Sequence, residues 1–336
     1  MQPPAPLPVS VLTGALGAGK TTLLNALLKG GGLTDTAVVV NEFGAVGIDH
    51  RLVEAASEEV VLLPGGCVCC QVRADLSEAL LRLERGVRLG ELPAFRRVVV
   101  ETSGLAEPGP ILQLFVESPA LRGRFRLEAL VTVVDAQLAL QALADEEGTA
   151  YRQVVLADRV LLGKHELAGE ETARAVEARL AELNPQAERL RVARGVADPA
   201  WLGAPAFKPA RTVPEAALRA RHDDAVNSFV LSWPARQPLA AMGDWLHGLA
   251  DTHGARLLRV KGIVAVEAPA QPVVLHGVQH LVSPPEFMPG EPPQESRVVF
   301  ITRGLEPGDV LPGWPVRCEA AQAIAGTAPI PGFSLR

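Results

Sequence analysis

"GALGAGKT", Gly14–Thr21, decides the fold. It satisfies the spacing G-x-x-x-x-G-K-[ST] and lies between an apolar run, "VSVLT", and a helical pattern, "TTLLNALLK". Glycines in such a loop let backbone N–H groups converge on phosphate oxygens, and the helix start adds positive dipole potential. Gly14, Gly17, Ala18 and Gly19 are therefore read as the cradle of a nucleotide. Lys20 is placed to reach the β- and γ-phosphates, Thr21 to bind Mg²⁺ through its hydroxyl, and Thr22 to meet the α-phosphate or cap the helix.

Working outward, short β-branched runs alternate with longer helical stretches through the first two thirds of the chain: "TAVVVN", "VVLLPG", "RRVVVETSG", "LVTVVDA" and "DRVLLGK". Their continuous apolar character suits strands covered on both faces, so the pattern predicts an α/β fold, a P-loop NTPase domain around a mostly parallel sheet. Repeated Pro and Ala then loosen the pattern, and "NSFVLSW", "ARLLRVKGIVAV", "PVVLHGV" and "RVVFITRG" read as strands of a smaller α+β domain, with "PLAAMGDWLHGLADTHG" its helix. The expected boundaries are 1–195 for the nucleotide domain, 196–222 for a linker and 223–336 for the C-terminal domain. The proline-rich "VSPPEFMPGEPPQES" is expected to lack regular structure.

A P-loop enzyme needs an acid at the end of a second strand to hold the Mg²⁺ shell, and "RRVVVETSG" offers Glu101. Gly104, three residues on, is placed for its N–H to sense the γ-phosphate. "NEFGAVGID", after the second strand, stands where such proteins carry a switch responsive to that phosphate. No water-orienting residue is evident; Glu107 and Glu42 are the acids in reach of the role.

Three of the chain's four cysteines fall in "GGCVCC", residues 65–70. Thiolates are soft ligands that suit Zn²⁺ or Cu(I), and less selectively Co²⁺ and Ni²⁺. Cys67, Cys69 and Cys70 supply three such ligands and leave a tetrahedral ion one position short, with Glu42, Asp49 and His50 near in sequence. An open site suits transfer better than scaffolding. In an extended strand Cys69 and Cys70 would point to opposite faces, so using both requires a turn. A redox pair and inert packing are the competing readings. His276 and His280, four apart, fall on a strand and turn and are read as structural or client-facing.

The 336 residues carry a net charge of −6 with acids and bases interspersed, which gives no basic field for nucleic acid. No stretch reads as membrane-spanning or as a secretory leader, so the expected location is the cytoplasm.

"GALGAGKTTLLN", "NEFGAVGID", "GGCVCC", "ETSGLAEPGP" and "ADRVLLGK", in this order, resemble the CobW family of metal-associated P-loop GTPases, in its YjiA-like branch. The resemblance continues through "LLRVKG", "LHGVQH" and "RVVFITRG". It implies a GTPase that binds GTP and GDP with Mg²⁺ and couples hydrolysis to delivery of Zn²⁺ or Co²⁺ to a client metalloprotein. It assigns Gly14, Gly17, Gly19, Lys20 and Thr21 to the nucleotide loop, Cys67, Cys69 and Cys70 to the metal, and Glu101 and Gly104 to Mg²⁺ and the γ-phosphate. Two departures stand out. "GKHE", Gly163–Glu166, replaces the family's guanine-reading Asn-Lys-x-Asp, which keeps Lys164, lengthens the acid to Glu166 and removes the Asn amide. Ala45 and Val40 stand where relatives carry additional Glu residues. The rival functions are a P-loop phosphotransferase with redox-sensing cysteines and a non-catalytic metal store or sensor; the oligomeric state is left open, a homo-oligomer included.

Overall fold

The computed structural model describes residues 6–40, 60–62, 70–193, 198–203, 226–234, 236–288, 290–314 and 322–323. The chain divides into two compact units, Met1–Ala181 with Ala187–Phe207, and Glu182–Gln186 with Lys208–Arg336.

The first unit is built on seven strands: β1 Leu7–Thr13, β2 Thr36–Val40, β3 Val60–Leu62, β4 Arg97–Glu101, β5 Phe125–Asp135, β6 Arg159–Gly163 and β7 Glu188–Val192. They form one sheet in the order β3-β2-β4-β1-β5-β6-β7, and every pairing is parallel. Val9, Val11, Val38, Val39, Val98 and Val99 are completely buried, as strands covered on both faces require. The helix Lys20–Lys29 turns Leu23, Leu24 and Leu27 onto the sheet, where they join Leu12, Val38, Val99 and Val131 in one core.

β1 is the pivot of this topology. Its flanks are taken by β4 on one side and β5 on the other, so the chain leaves it in opposite directions and opens a crevice at its carboxyl end. The register partners Leu12, Glu101, Val40 and Leu62 make one row across β1, β4, β2 and β3. These four strands therefore end level with one another at the carboxyl side of the sheet.

The second unit is an antiparallel sheet: β8 Val226–Trp233, β9 Leu257–Ala265, β10 Pro272–Val278, β11 Leu281–Val282, β12 Glu286–Phe287, β13 Ser296–Arg303 and β14 Gln322–Ala323. Its order is β11-β10-β9-β13-β8-β14, with β12 added on β10. The proline-rich segment begins on the last residue of β11 and contains the short strand β12, a correction to the irregular reading: prolines interrupt a ladder, but a two-residue pairing fits between Pro285 and Pro289. Met242, Trp245, Leu246 and Leu249 of the helix Leu239–His253 recur at helical spacing and are buried in the same core as Phe229, Trp233, Phe300 and Trp314. Trp245 meets Trp314 edge-on at 4.4 Å between ring centres and donates its indole N–H to the carbonyl of Val310 at 2.8 Å. His276 lies in β10, and His280, beyond it, has Nδ1 3.2 Å from the carbonyl oxygen of Ala250. No helix among the described residues is long and apolar enough to cross a membrane.

Arg191 of β7 binds both Glu170 and Glu177 of the helix Glu170–Leu183. Its hydrogen bonds hold Glu170 at about 2, down from the ordinary 4.5, and hold Glu177 below the same value. Folded-state values below the unfolded ones mean that these pairs favour the fold fully above pH 4.5 and lose that contribution as pH falls toward 2. Arg191→Met is therefore expected to lower the melting temperature at pH 8, where both carboxylates are charged, and to change it little near pH 2, so that the acid-side dependence flattens in this window. An acid limb as steep in the variant as in the parent would contradict this reading.

Candidate nucleotide site

The phosphate loop is shaped by what its backbone touches. Gly14 has φ 139°, and a Cβ there would lie 2.2 Å from the carbonyl oxygen of Val133 in β5. Gly17 and Gly19 take φ 75° and 103°, the left-handed side where a side chain is strained, although each faces open space. Gly19 caps the helix that begins at Lys20. Ala18 is buried in the core beneath the loop, and Thr22 is exposed on the helix start. Lys20 folds back across the loop, where Nζ donates to the carbonyls of Gly14 at 2.8 Å and Ala15 at 3.2 Å. The ammonium therefore sits over the start of the loop, and Lys20 as a residue is only 7% exposed.

Next to it, the Thr21 hydroxyl donates to Oε1 of Glu101 at 2.6 Å. Thr21 lies in the first turn of the helix that follows β1, and Glu101 ends β4, the neighbour of β1, which is why residues 80 apart in sequence meet. A hydroxyl and a buried carboxylate converging at one point supply the hard oxygen donors that Mg²⁺ takes. After Glu101, the Thr102 hydroxyl donates to that of Thr13 at 2.9 Å and fixes the exit of β4 against β1. Gly104 then presses on the loop itself: a Cβ on it would lie 2.4 Å from the backbone nitrogen of Leu16.

The third wall comes from β5 and β6. Lys164, at φ 57°, sends Nζ to the carbonyl of Gly17 and to Oδ2 of Asp135, both at 2.7 Å. Asp135 ends β5 and accepts the Gln137 N–H at 2.8 Å on its other oxygen. One ammonium thus ties the phosphate loop to two strand ends. Glu166 stands in the four-residue helix His165–Ala168, two positions beyond Lys164. Gly163 is not required by packing, because a Cβ there would find its nearest neighbour, the Ala18 carbonyl, at 3.7 Å.

Sequence reasoning missed Asp135 and the helix Thr149–Val155. An acid closing the strand "LVTVVD" was a readable signal for the first. The second offers none, since "TAYRQVV" is too short for periodicity to show. Glu107, a candidate for orienting water, accepts from the Thr149 hydroxyl and from Arg152, both at 3.0 Å, so its carboxylate is engaged in holding the loop after β4. Glu42, Asp49, His50, Cys67 and Cys69 lie outside the described residues. Cys70 opens the helix Cys70–Leu89, so it belongs to a helix start and not to an extended strand. Among the described residues no group of His, Cys, Asp and Glu could hold a metal ion.

With this geometry in place, comparison with known proteins is direct. Residues 8–191 match the family described as CobW/HypB/UreG, nucleotide-binding domain, and residues 226–313 match the cobalamin synthesis protein cobW C-terminal domain. The chain is 33% identical to the zinc chaperone YjiA of Escherichia coli over 302 residues, covering 88% of this chain and 94% of that one. It is 34% identical to the zinc-regulated GTPase metalloprotein activator 1 of Schizosaccharomyces pombe over 57% of this chain and 47% of the relative. The crystal structure of Zn(II)-bound YjiA GTPase from E. coli superposes with a TM-score of 0.64 at 29% identity, covering 92% of this chain and 98% of the other.

The contact at Gly104 generates a prediction. Gly104→Ala drives a methyl into the backbone of Leu16, which neither loop can yield without moving. The variant is expected to lose at least tenfold in affinity for a nucleoside triphosphate, about 1.4 kcal/mol, measured by titration with a fluorescent analogue. Wild-type affinity in the folded variant would refute the close approach.

Proposed function

Because the chain belongs to the CobW family through both halves of its sequence, we propose that it is a GTP-hydrolysing metallochaperone that holds Zn²⁺ as cargo at Cys67, Cys69 and Cys70 and releases it to a client protein. The observation that carries this reading is the row Leu12, Glu101, Val40 and Leu62. The phosphate loop follows Leu12, the γ-phosphate loop follows Glu101, the switch segment "NEFGAVGID" follows Val40, and the cysteine motif follows Leu62. Strands in a sheet stand about 4.8 Å apart, so three intervals separate the phosphate loop's strand from the cysteine strand by about 14 Å. The strand that leads into the switch segment, β2, thus stands between β4, the partner of the phosphate loop's strand, and β3, the strand that leads into the cysteine motif.

Lys20 and the backbone amides of Gly14–Lys20 bind and orient the β- and γ-phosphates, and the helix start adds its dipole. Thr21 and Glu101 would hold Mg²⁺, which when bound neutralises charge developing between those phosphates. Gly104 offers its N–H to the γ-phosphate, and Lys164 lies along the base. Phosphoryl transfer demands positioning and charge stabilisation more than covalent chemistry, so these groups suffice for slow turnover. At the cargo site, a helix beginning at Cys70 brings the positive end of its dipole to the motif, which favours the thiolate that a soft ion needs. The similar zinc chaperones support zinc over cobalt.

Protein isolated with its thiols reduced is expected to carry close to one zinc per chain by elemental analysis. Cys69→Ser with Cys70→Ser is expected to abolish that content and leave GTP binding within about twofold. Zinc retained in the double variant would move the cargo site elsewhere. Zinc bound by a wild-type protein that never hydrolyses GTP would favour a store or sensor, and GTP consumed only with a small-molecule acceptor would favour a phosphotransferase.

Base selection is expected to be loose. Gly163 offers no amide to the base, and an unpaired polar edge costs about 1–3 kcal/mol. Gly163→Asn with Glu166→Asp, where a Cβ at residue 163 would meet only ordinary van der Waals contacts from 3.7 Å outward, is expected to raise the ratio of GTP to ATP affinity by about tenfold. An unchanged ratio, measured by competition against a labelled diphosphate, would show that other groups read the base.

A further inference from the structure

The loop Ser103–Glu107 is gripped from both sides. One side is the phosphate loop, whose Leu16 nitrogen would lie 2.4 Å from a Cβ on Gly104. The other is the helix Thr149–Val155. Gln153 is 1% exposed, and its Nε2 donates to the carbonyl of Ala106 at 3.1 Å and, more weakly, to that of Gly104 at 3.4 Å. One helical turn earlier, Thr149 donates to Oε1 of Glu107, and Arg152 donates to the same oxygen. The helix is itself fixed to the sheet, because the buried Thr132 hydroxyl of β5 donates to the carbonyl of Gln153 at 2.7 Å. Within the loop, Ala106 N–H donates to the carbonyl of Ser103 at 3.0 Å, so the peptide planes of residues 104–106 are held as one tight turn.

We propose that Gln153 is a positioning residue for the triphosphate: by holding the carbonyls of Gly104 and Ala106 it fixes Gly104 at the height where its N–H, in the preceding peptide, meets the γ-phosphate, with Arg152 and Thr149 steadying the far end of the same loop. This rests on the nucleotide reading above and adds to it the part of the chain that sets the difference between triphosphate and diphosphate. A glycine pressed on the phosphate loop from one side alone could swing away. The glutamine closes that route by tying the two carbonyls that flank Leu105. Among the described residues its buried Oε1 has no hydrogen-bond partner, so the amide is placed by the loop carbonyls it serves and not by a complete network of its own. The diphosphate, lacking the group that Gly104 meets, is indifferent to where this peptide stands.

The test compares affinities of a non-hydrolysable GTP analogue and of GDP on the same purified protein. Gln153→Met keeps the volume and removes both hydrogen bonds. It is expected to weaken the triphosphate analogue about tenfold, to leave GDP within about twofold and to lower kcat by a similar tenfold. A role in stability alone would lower the melting temperature and leave the ratio of the two affinities unchanged, which overturns the proposal. So does an equal loss for both nucleotides. Arg152→Met, at a half-exposed position, tests the same loop should the buried variant not fold: a threefold selective loss of the triphosphate is expected, about 0.65 kcal/mol, and no change in the ratio contradicts the proposal. A wild-type protein that binds neither nucleotide strikes the nucleotide reading itself, whereas a binding wild type with unaffected variants strikes only the role of Gln153.

Discussion

Two backbone contacts with no room for a side chain govern the nucleotide half of this protein. Gly14 passes over the carbonyl of Val133, and Gly104 presses on the nitrogen of Leu16. Both exist because β4, β1 and β5 are neighbours in a twisted parallel sheet whose carboxyl ends converge. The phosphate loop is thus placed by the sheet and not by its own glycines. Those glycines permit the path, and the buried valines of the strands impose it. Lys164 completes the frame by tying Gly17 to Asp135, so a cation from β6 and an acid from β5 hold the loop's outer turn.

The same sheet order gives the proposed coupling its physical route. In the proposed reading Gly104, after β4, meets the γ-phosphate; the next strand outward is β2, and the next β3. Interacting loops of this kind couple two sites by about 1–3 kcal/mol, enough to change affinity roughly 5- to 150-fold. The grip on Ser103–Glu107 by Gln153 and Arg152 belongs to this route, because a loop free on its outer side would dissipate the displacement.

Much of this was legible in the sequence, and the reason is locality. The phosphate loop, Glu101, Gly104 and Lys164 each sit at a strand's end in a short pattern, and the apolar runs predicted strands where β1, β2, β4, β5 and β6 stand. What was hidden depends on distance along the chain. β7, "ERLRV", alternates charge with apolar residues at the sheet edge and carries no buried run. The Thr149–Val155 helix is short and rich in residues of modest helix propensity, so only its packing on β5 makes it a helix. Asp135 meets Lys164 across 29 residues, and Gln153 meets Gly104 across 49. The cysteine motif stands the other way round: its chemistry is plain in three adjacent sulfurs, whereas the fold supplies only the strand that precedes it and the helix that begins at Cys70.

The central claim is that nucleotide state sets how tightly the cysteine motif holds zinc. The most direct measurement is the zinc dissociation constant of the reduced protein, by competition with a chromophoric chelator, saturated first with a non-hydrolysable GTP analogue and then with GDP. The account predicts two constants at least fivefold apart. Equal constants, with both nucleotides shown to be bound, would contradict it.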